Sequence, residues 1–531
     1  MSRFKAGLLL FAALIAAAVA AQPFSGATAQ QAGVLRTPLD GQPSSLDPYF
    51  AVDVPGASVV MMMYNTLVTF DAGGRLVPAA ARNWDISPNG LVYTFHLRPM
   101  RFHGGRAVTA DDWKWSFDRM SDPALRAPVA DFALSSVQGY PERRAGAATV
   151  AGIRVLDPMT LQFVVNPARR GGFLHRLAYY AAVVLDRDVV QNGGQGWFAQ
   201  KDAGTGPFTM REWVTNDHIT LAANPVYFLG APKISRLEMP IVTESTTQFR
   251  EYQTGQLDLI QVPLAQFPRI KADPALGKEL LVFPRVQIVY LGLNERVYAP
   301  FKDPRVRRAF AMSVDKDKIV QNVFFGLFTA ARTIAPPGIP GFYGEYKGLP
   351  YDPAQARALL AQAGVSGKLP PLTVAVNPGG SLYQMTAEPA AAMLKQNLGV
   401  DVGLQKTEYA TFIRALIAKN VYQAFLTGWT ADYLDYSDYM DVLLYSTSPF
   451  DRVNYNNPDV DRLIDQANAA PTDAERIAAY HKAEAIAVND AALVPIFYSR
   501  SAMLKKPYVV GLQTAPWAPG YLPPAGVVIQ K

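Results

Sequence analysis

The length of this chain, 531 residues with no internal repeat, is the feature that most constrains its fold. One hydrophobic core does not extend over so many residues, because chains generally divide into domains beyond about 250–300 residues. Half of the residues are hydrophobic and 18% are charged, which is typical of folded proteins and not of disordered ones. We therefore expect several folded domains or sub-domains.

The composition excludes several classes of function. The formal net charge is +6, but the basic residues occur as scattered short pairs, whereas a nucleic-acid-binding protein clusters them on one face. The chain has no cysteine, which excludes thiolate catalysis, cysteine-bound zinc, iron–sulfur clusters, disulfides and a lipid-anchored N-terminal cysteine. We expect no nucleic acid and no cofactor among its partners.

The N-terminus has the three parts of a secretory signal peptide. Arg3 and Lys5 precede an apolar run over residues 6–21, and small residues follow it. Small-x-small cleavage patterns end at Ala20 and Ala29, and the polar residues that come next favour cleavage after Ala29. The run is short and rich in alanine for a membrane span. Residues 1–29 are therefore predicted to be a signal peptide, and the mature protein to be exported and soluble.

Strand and helix patterns alternate along the rest of the chain, which predicts α/β or α+β lobes. Thr109 followed by two aspartates predicts a helix start, and so does Asp352-Pro353, whose helix is predicted to end before Gly364. Further helices are predicted over residues 382–398 and 473–488. The predicted strands cover residues 90–97, 160–165, 218–222, 286–293, 372–376 and 400–405.

A set of short motifs occurs in a fixed order along the chain. They are RFHGG and VTADD within residues 101–112, GTGPF at 204–208, Asn224-Pro225 with Tyr227, FKDPRVRRAF at 301–310, YDP at 351–353, GWTADY at 428–433, and YNNP at 455–458 with Asp461. This ordered set resembles the extracytoplasmic solute-binding proteins of the peptide, opine and nickel class of ABC importers, known as family 5. The resemblance extends over nearly the whole mature chain.

The resemblance implies an α/β, two-lobed periplasmic-binding-protein fold (type II, cluster C), with an extra sub-domain inserted in the first lobe. Two chain crossings, near residues 291–295 and 491–496, would form the hinge about which the lobes close over a solute. The implied boundaries are residues 30–70, 202–291 and 492–531 for the core of lobe I, 71–201 for the inserted sub-domain and 292–491 for lobe II.

The function implied by the resemblance is that of a periplasmic, monomeric, non-catalytic protein that captures a di- or oligopeptide-like solute and delivers it to an ABC transporter permease. Other solutes stay open within this role, namely an opine, an amino-acid conjugate, an oligosaccharide or a chelated metal. An exported peptide hydrolase that uses Asp432 and a neighbouring carboxylate is the alternative from another class.

The resemblance also implies a set of ligand-binding residues. Asp432 would hold the amine of a peptide, because a buried ammonium needs a charged partner. Two segments would lie beside the peptide like added strands, an arrangement that binds any peptide through its amides. The residues expected at the ligand are Val52, Asp53 and Val54 in one lobe and Gly428, Trp429, Thr430, Ala431, Asp432 and Tyr433 in the other. Val52 departs from the acidic residue that oligopeptide-binding relatives often have.

Residues 432–441 have an aspartate at every third position with tyrosines between them. The stretch could be an acidic, aromatic wall of the cleft, a calcium site, or a loop leading into a helix with only Asp432 and Tyr433 at the ligand, which we favour. It lacks the glycine turn and terminal glutamate of an EF-hand. The histidines form no close pair, and no metal site is predicted. The cation for a ligand carboxylate is unassigned, with Arg285 and Arg414 as candidates.

Overall fold

A computed structural model describes residues 33–377, 381–517, 520–521 and 523–531. The predicted signal peptide lies outside the described residues. The predicted strands and helices are confirmed, and their ends follow the expected capping chemistry. Asp112 accepts the N–H of Thr109 at 2.9 Å, and Asp352 accepts the N–H of Gln355 at 2.9 Å at the start of the helix that begins with Pro353.

Lobe I contains two four-stranded sheets that share one continuous hydrophobic core. One sheet, in the inserted sub-domain, is wholly antiparallel, and the other has one parallel pair at its edge. In spatial order, the first has strands Ala81–Ile86, Val92–Leu97, Thr160–Val164 and Ile153–Asp157, and the second Val34–Arg36, Arg236–Pro240, His218–Ala223 and Phe208–Val214.

Lobe II is built on a mixed sheet of seven strands with a hydrophobic core on each face. Side chains alternate between the two cores as the pleat requires, so that Ile288 packs in one core and Val289 in the other. The strands are, in spatial order, Leu259–Gln261, Leu493–Lys505, Leu280–Leu293, Ala424–Thr430, Leu372–Val376 and Val402–Lys406, with Thr329–Ala330 paired beside the second.

Two long strands of this sheet connect the lobes. Strands Leu280–Leu293 and Leu493–Lys505 pair antiparallel, and their register shifts between Pro284 and Ile288. Phe283 packs on the core of lobe I, whereas Val286 belongs to a core of lobe II, so the change of core falls near this irregularity, a few residues before the crossing predicted at 291–295. A bulge of this kind bends the strand locally. The residue limits of the domains remain predictions.

Two further strand pairs and the helices complete the fold. The pairs are Val68–Phe70 with Leu76–Pro78, and Val509–Val510 with Val528–Ile529. The helices before the second lobe are Val54–Met63, Ala110–Met120, Ala130–Leu134, Tyr140–Arg144, Phe173–Arg176, Arg187–Gly193, Ser245–Gln253, Phe267–Ala272 and Leu276–Glu279. Those of the second lobe are Pro304–Met312, Lys316–Val323, Pro353–Gln362, Ser381–Leu398, Tyr409–Ala418, Ser437–Leu443, Pro458–Ala469 and Asp473–Asn489. Among the described residues, no helix combines the length and apolarity that a membrane crossing needs.

Candidate functional site

A cavity of about 500 Å³ lies between the lobes, and we call it the acidic cavity. Its walls come from the start of helix Val54–Met63, from the inserted sub-domain, from the chain near the C-terminus and from the turn after strand Ala424–Thr430. Among the described residues that line it, Asp53 and Asp432 are the acids and there is no lysine, arginine or histidine. The cavity therefore suits an occupant with a cationic group and apolar parts.

The structure brings most of the predicted ligand-binding residues together at this cavity. Those that line it are Val52, Asp53, Val54, Thr430, Ala431, Asp432 and Tyr433. Gly428 and Trp429 do not line it. The Trp429 side chain is buried on the other face of its strand, donates its indole N–H to Asp438 at 3.1 Å and packs against Phe450.

The segment with Val52, Asp53 and Val54 is not the strand-like segment that we expected. Val54 begins a helix, and Asp53 is its N-cap, accepting the N–H of Gly56 at 2.7 Å. The other carboxylate oxygen of Asp53 accepts the N–H of Ser44 at 3.0 Å. An aspartate N-cap with Pro55 in the first turn favours helix over strand, which explains the difference. Val52 and Val54 are left 60% and 50% exposed at the rim of the cavity.

Asp432 lacks a partner for its carboxylate. Among the described residues, its side chain has no ion pair and no hydrogen bond, although its backbone N–H donates to Asp438 at 3.0 Å. Asp438 is fully buried, and its Oδ1 has no hydrogen-bond partner within the described part of the chain. Burial raises the pKa of both carboxyl groups, and the charge of Asp432 raises that of Asp438 further. A nearby cation would stabilise the ionised form of the pair.

Asp435, three residues further along, is paired in full. Arg476 donates from Nη1 to its two carboxylate oxygens at 2.8 and 2.7 Å, and both side chains are buried. Burial alone would raise the pKa of Asp435, but Arg476 and then His175 lower it to about 2. Residues 432–441 run into helix Ser437–Leu443 as we favoured, and Asp432 and Tyr433 are their polar members at the cavity.

Strand Ala424–Thr430 presents an open edge beside Asp432. Ala431 donates to the carbonyl of Val286 at 2.9 Å, so by the alternation of an antiparallel ladder the amides of Gly428 and Thr430 face the other edge. On that edge, strand Leu372–Val376 pairs only with Ala424 and Phe425. The amides predicted to bind a peptide are thus free of sheet partners among the described residues.

Other residues of the acidic cavity were not foreseen from the sequence. Tyr180 and Tyr227 line it and are anchored by hydrogen bonds, the first to the carbonyl of Ala51 at 2.7 Å and the second from Asn65 at 2.9 Å. Trp517 lines it from the C-terminal part of the chain. These residues come from segments distant in sequence. Tyr227 belongs to one of the family motifs, but the sequence analysis did not assign it to the ligand site.

The two arginines considered for a ligand carboxylate lie elsewhere. Arg285 does not line the cavity, and its Nη1 reaches Ser501 Oγ at 3.5 Å. Arg414 is exposed on helix Tyr409–Ala418 and donates to Thr411 at 2.9 Å. Within the described parts of the chain, no three histidine, aspartate or glutamate side chains are grouped so that they could hold a metal ion.

A second cavity, of about 670 Å³, lies between the inserted sub-domain and lobe II. Arg144, Arg169 and Arg176 line it from the sub-domain, and we call it the arginine cavity. Asp441, Tyr445 and Phe450 are among the residues that line it from lobe II. An aromatic layer stands beside it, in which Phe450 contacts Phe132 and Trp429 with ring centroids 5.4 and 5.5 Å apart.

Comparison with known proteins identifies relatives of the whole chain. Residues 75–451 match the family described as bacterial extracellular solute-binding proteins, family 5 Middle. The chain is 31% identical over 480 residues to the probable deoxycholate-binding periplasmic protein YgiS of Escherichia coli, with 88% of each chain covered. It is 28% identical over 522 residues to the periplasmic oligopeptide-binding protein OppA of Escherichia coli, with 95% of this chain and 94% of that one covered.

A solved structure shows the same fold. The murein tripeptide binding protein MppA of Escherichia coli is similar with a TM-score of 0.82 and 27% sequence identity. The similarity covers 94% of this chain and 99% of that one, so it includes both lobes and the sub-domain.

Proposed function

Because this chain belongs to the bacterial extracellular solute-binding proteins of family 5, we propose that it is the periplasmic solute-binding component of an ABC importer with a peptide-like cargo. OppA and MppA are named for an oligopeptide and a murein tripeptide. The observation that carries the peptide assignment is the unpartnered carboxylate of Asp432 beside an open strand edge. Both features match what a peptide brings, an ammonium group and unpaired amides.

The open edge supports main-chain recognition. A peptide in the acidic cavity can pair with the amide of Thr430, which lines it, and would reach the amide of Gly428 only by extending beyond the cavity along strand Ala424–Thr430, as an added strand does. Such pairing binds peptides of many sequences, because it uses no side chain of the ligand. On the opposite wall the helix start at Val54 offers apolar contact instead of a second strand.

Asp432 supports recognition of the amine. Charge-assisted hydrogen bonds contribute about 1.5–3 kcal/mol, and here the carboxylate has no competing partner among the described residues. A solute with a carboxylate at this position would meet the charge of Asp432, and the described residues that line the cavity include no cation to offset it. This disfavours a bile-acid anion such as deoxycholate, for which YgiS is named, in the acidic cavity.

Peptide hydrolysis is the competing function. Catalysis by two carboxylates requires both of them beside the bond that is cleaved. Asp438 is fully buried and lines neither cavity, and Asp53, the other acid of the acidic cavity, is engaged as the N-cap of its helix. We therefore propose binding without turnover. Appearance of cleavage products when the pure protein is incubated with peptides and followed by mass spectrometry would contradict this.

Export and partners complete the proposal. The N-terminal segment would direct the chain to the periplasm and be removed after Ala29. The mature protein would act as a monomer, close its lobes over the solute and pass it to the permease subunits in the inner membrane. Peptide-like cargo is preferred over an opine, another amino-acid conjugate, an oligosaccharide or a chelated metal, because a peptide uses both Asp432 and the open edge.

The test compares a tripeptide with its N-acetylated form by isothermal titration calorimetry. In the wild type, acetylation should weaken binding about 10- to 100-fold, because it removes the ammonium that Asp432 would hold. Asp432→Asn should weaken binding of the free peptide equally and abolish the difference between the two peptides.

Asp53→Asn is the matched control. It removes a charge from the same cavity, but the Asp53 oxygens already cap the helix and asparagine is an equally good cap. Affinity for the free peptide should therefore stay nearly unchanged. If acetylation changes nothing in the wild type, Asp432 does not hold an amine and the assignment of a peptide cargo fails.

A further inference from the structure

The arginine cavity contains hydrogen-bond donors that the protein does not satisfy. Arg176 is only 8% exposed, and its Nε has no partner among the described residues. Its Nη atoms make only long contacts, at 3.4 Å to the carbonyl of Phe132, 3.5 Å to Ser135 Oγ and 3.4 Å to Ser437 Oγ. The nearest carboxylate oxygen, on Asp441, is 3.9 Å away. A guanidinium buried in this way lacks the close acceptors that such groups normally have.

Arg144 adds a second unsatisfied donor. Its Nη1 is buried and has no hydrogen-bond partner in the described part of the chain. Arg169 lines the same cavity from its exposed side. Three guanidinium groups thus converge from the sub-domain on one cavity.

The acids of the arginine cavity are, in contrast, already engaged. Asp131 accepts from Tyr140, and Asp465 accepts from Tyr445 at 3.0 Å. Asp441 accepts from Asn468 at 2.7 Å and from Tyr480 at 2.9 Å. Each of these carboxylates thus has a hydrogen-bond donor within the protein. Arg144 and Arg176, in contrast, each have an N–H group without an acceptor among the described residues. An occupant that completes this cavity must therefore bring hydrogen-bond acceptors, and a carboxylate is the acceptor whose geometry matches a guanidinium best.

From these observations we infer that the arginine cavity is an anion subsite that binds a carboxylate carried on an apolar group. The carboxylate pairs with Arg176 and Arg144, and the apolar part packs on Phe132 and Phe450. The arginines belong to the sub-domain, whereas Phe450 belongs to lobe II. An anion bound here consequently contacts both lobes and favours the closed form. This subsite does not depend on the cargo proposed for the acidic cavity.

The experiment titrates solute-free mature protein with benzoate and with benzamide, which differ in the negative charge. Benzoate should bind at least about tenfold more tightly than benzamide, because only benzoate forms charge-assisted hydrogen bonds with the arginines. Arg144→Gln and Arg176→Gln should each weaken benzoate binding about tenfold and leave benzamide unchanged. Should Arg176→Gln fail to fold, Arg144→Gln decides, since the Arg144 side chain is only half-buried.

Arg170→Gln is the matched control. Arg170 also contacts lobe II, through the carbonyls of Ala469 and Ala470 at 2.8 and 3.1 Å, but it does not line the cavity. This variant should keep the preference for benzoate. Equal binding of benzoate and benzamide by the wild type, or a preference for benzoate that survives both Arg144→Gln and Arg176→Gln, would overturn the anion subsite.

A competition arm distinguishes the two sources of the carboxylate. Benzoate is titrated into protein saturated with a tripeptide or with its C-terminal amide. Competition by the free-carboxylate peptide alone means that one solute reaches both cavities, and absence of competition means that a separate anion binds. Both results support the subsite. Failure of the peptide to bind would count against the proposed function and leave the benzoate result standing.

Discussion

The acidic cavity and the arginine cavity differ in the group that each leaves unsatisfied. Among the described residues, the carboxylate of Asp432 in the acidic cavity has no donor, whereas the guanidinium of Arg176 in the arginine cavity has no close acceptor. Tyr433 stands between them, lining the first cavity while Arg176 lies 4.9 Å from its ring centroid. The contrast teaches that an unpaired buried group indicates the charge of the ligand that its cavity would bind.

A buried ion pair lies in the segment between the residues that line the acidic cavity and those that line the arginine cavity. Asp435 and Arg476 form a buried ion pair three residues from Asp432 in sequence. This ion pair anchors the segment of residues 430–442, which lines the acidic cavity at its start and the arginine cavity at its end. The predictions below start with this pair and proceed to smaller effects.

The largest expected effect is on stability. Arg476→Met leaves the buried carboxylate of Asp435 without its partner, which should lower the free energy of unfolding by about 3–5 kcal/mol. Urea denaturation followed by circular dichroism measures the loss. The double variant Arg476→Met/Asp435→Asn should be less destabilised than Arg476→Met alone. A loss below about 1 kcal/mol, as for an exposed ion pair, would show that the segment does not depend on this contact.

The second effect is on the pH dependence of peptide affinity. The pKa of Asp432 is raised to about 7 by burial, so its carboxyl must lose a proton before it pairs with an ammonium. Affinity should fall as the pH drops below 7, by up to about tenfold per pH unit, and binding there should release a proton. Calorimetry in two buffers of different ionisation enthalpy measures that proton.

Benzoate binding provides the contrast. The arginines of the other cavity stay charged throughout this range, while burial raises the pKa of Asp441, which lies 3.9 Å from Arg176, to about 6. Protonation of Asp441 removes a negative charge beside the site, so benzoate affinity should not fall as the pH drops below 7. An N-acetylated peptide should likewise show no such dependence. Equal pH dependence for both peptides would remove Asp432 from the amine site.

The smallest expected effect is on ligand affinity in the variant Phe450→Leu, which should weaken benzoate binding more than peptide binding. Phe450 lines the arginine cavity and not the acidic one. Phe450→Leu loses ring contacts worth about 0.5–1.5 kcal/mol each, so benzoate affinity should fall a few-fold. Peptide affinity should change less, because Trp429 stays anchored by Asp438. Titration of both ligands measures the difference, and a larger loss for the peptide would place Phe450 at the peptide site.

Local sequence predicted a large part of the fold and part of the site. The helix starts at Thr109 and Asp352 were predictable because capping needs only neighbouring residues. Residues 430–433 were predicted together because they are consecutive in the GWTADY motif on which the family resemblance rests. The segment at Asp53 was assigned wrongly as strand-like, although an aspartate followed by Pro55 is itself a helix-start signal.

The rest of the site depends on contacts between distant segments. The burial of Asp438, and the fact that Asp432 has no side-chain partner in the described ranges, depend on how the lobes meet, which no local pattern encodes. The same holds for the arginine cavity, where Arg176 meets residues more than 260 positions away, such as Ser437. The periodicity of the sequence does not reveal that Asp432 or Arg176 would be left without a close partner among the described residues.

A crystal structure of the mature protein with a bound tripeptide tests the central assignment most directly. We expect the peptide ammonium within about 3 Å of the Asp432 carboxylate, at charge-assisted hydrogen-bond distance, and the peptide main chain paired with Thr430. A ligand carboxylate beside Asp432, or a peptide whose ammonium lies in the arginine cavity, would contradict the assignment of a cationic group to the acidic cavity and of an anionic group to the arginine cavity.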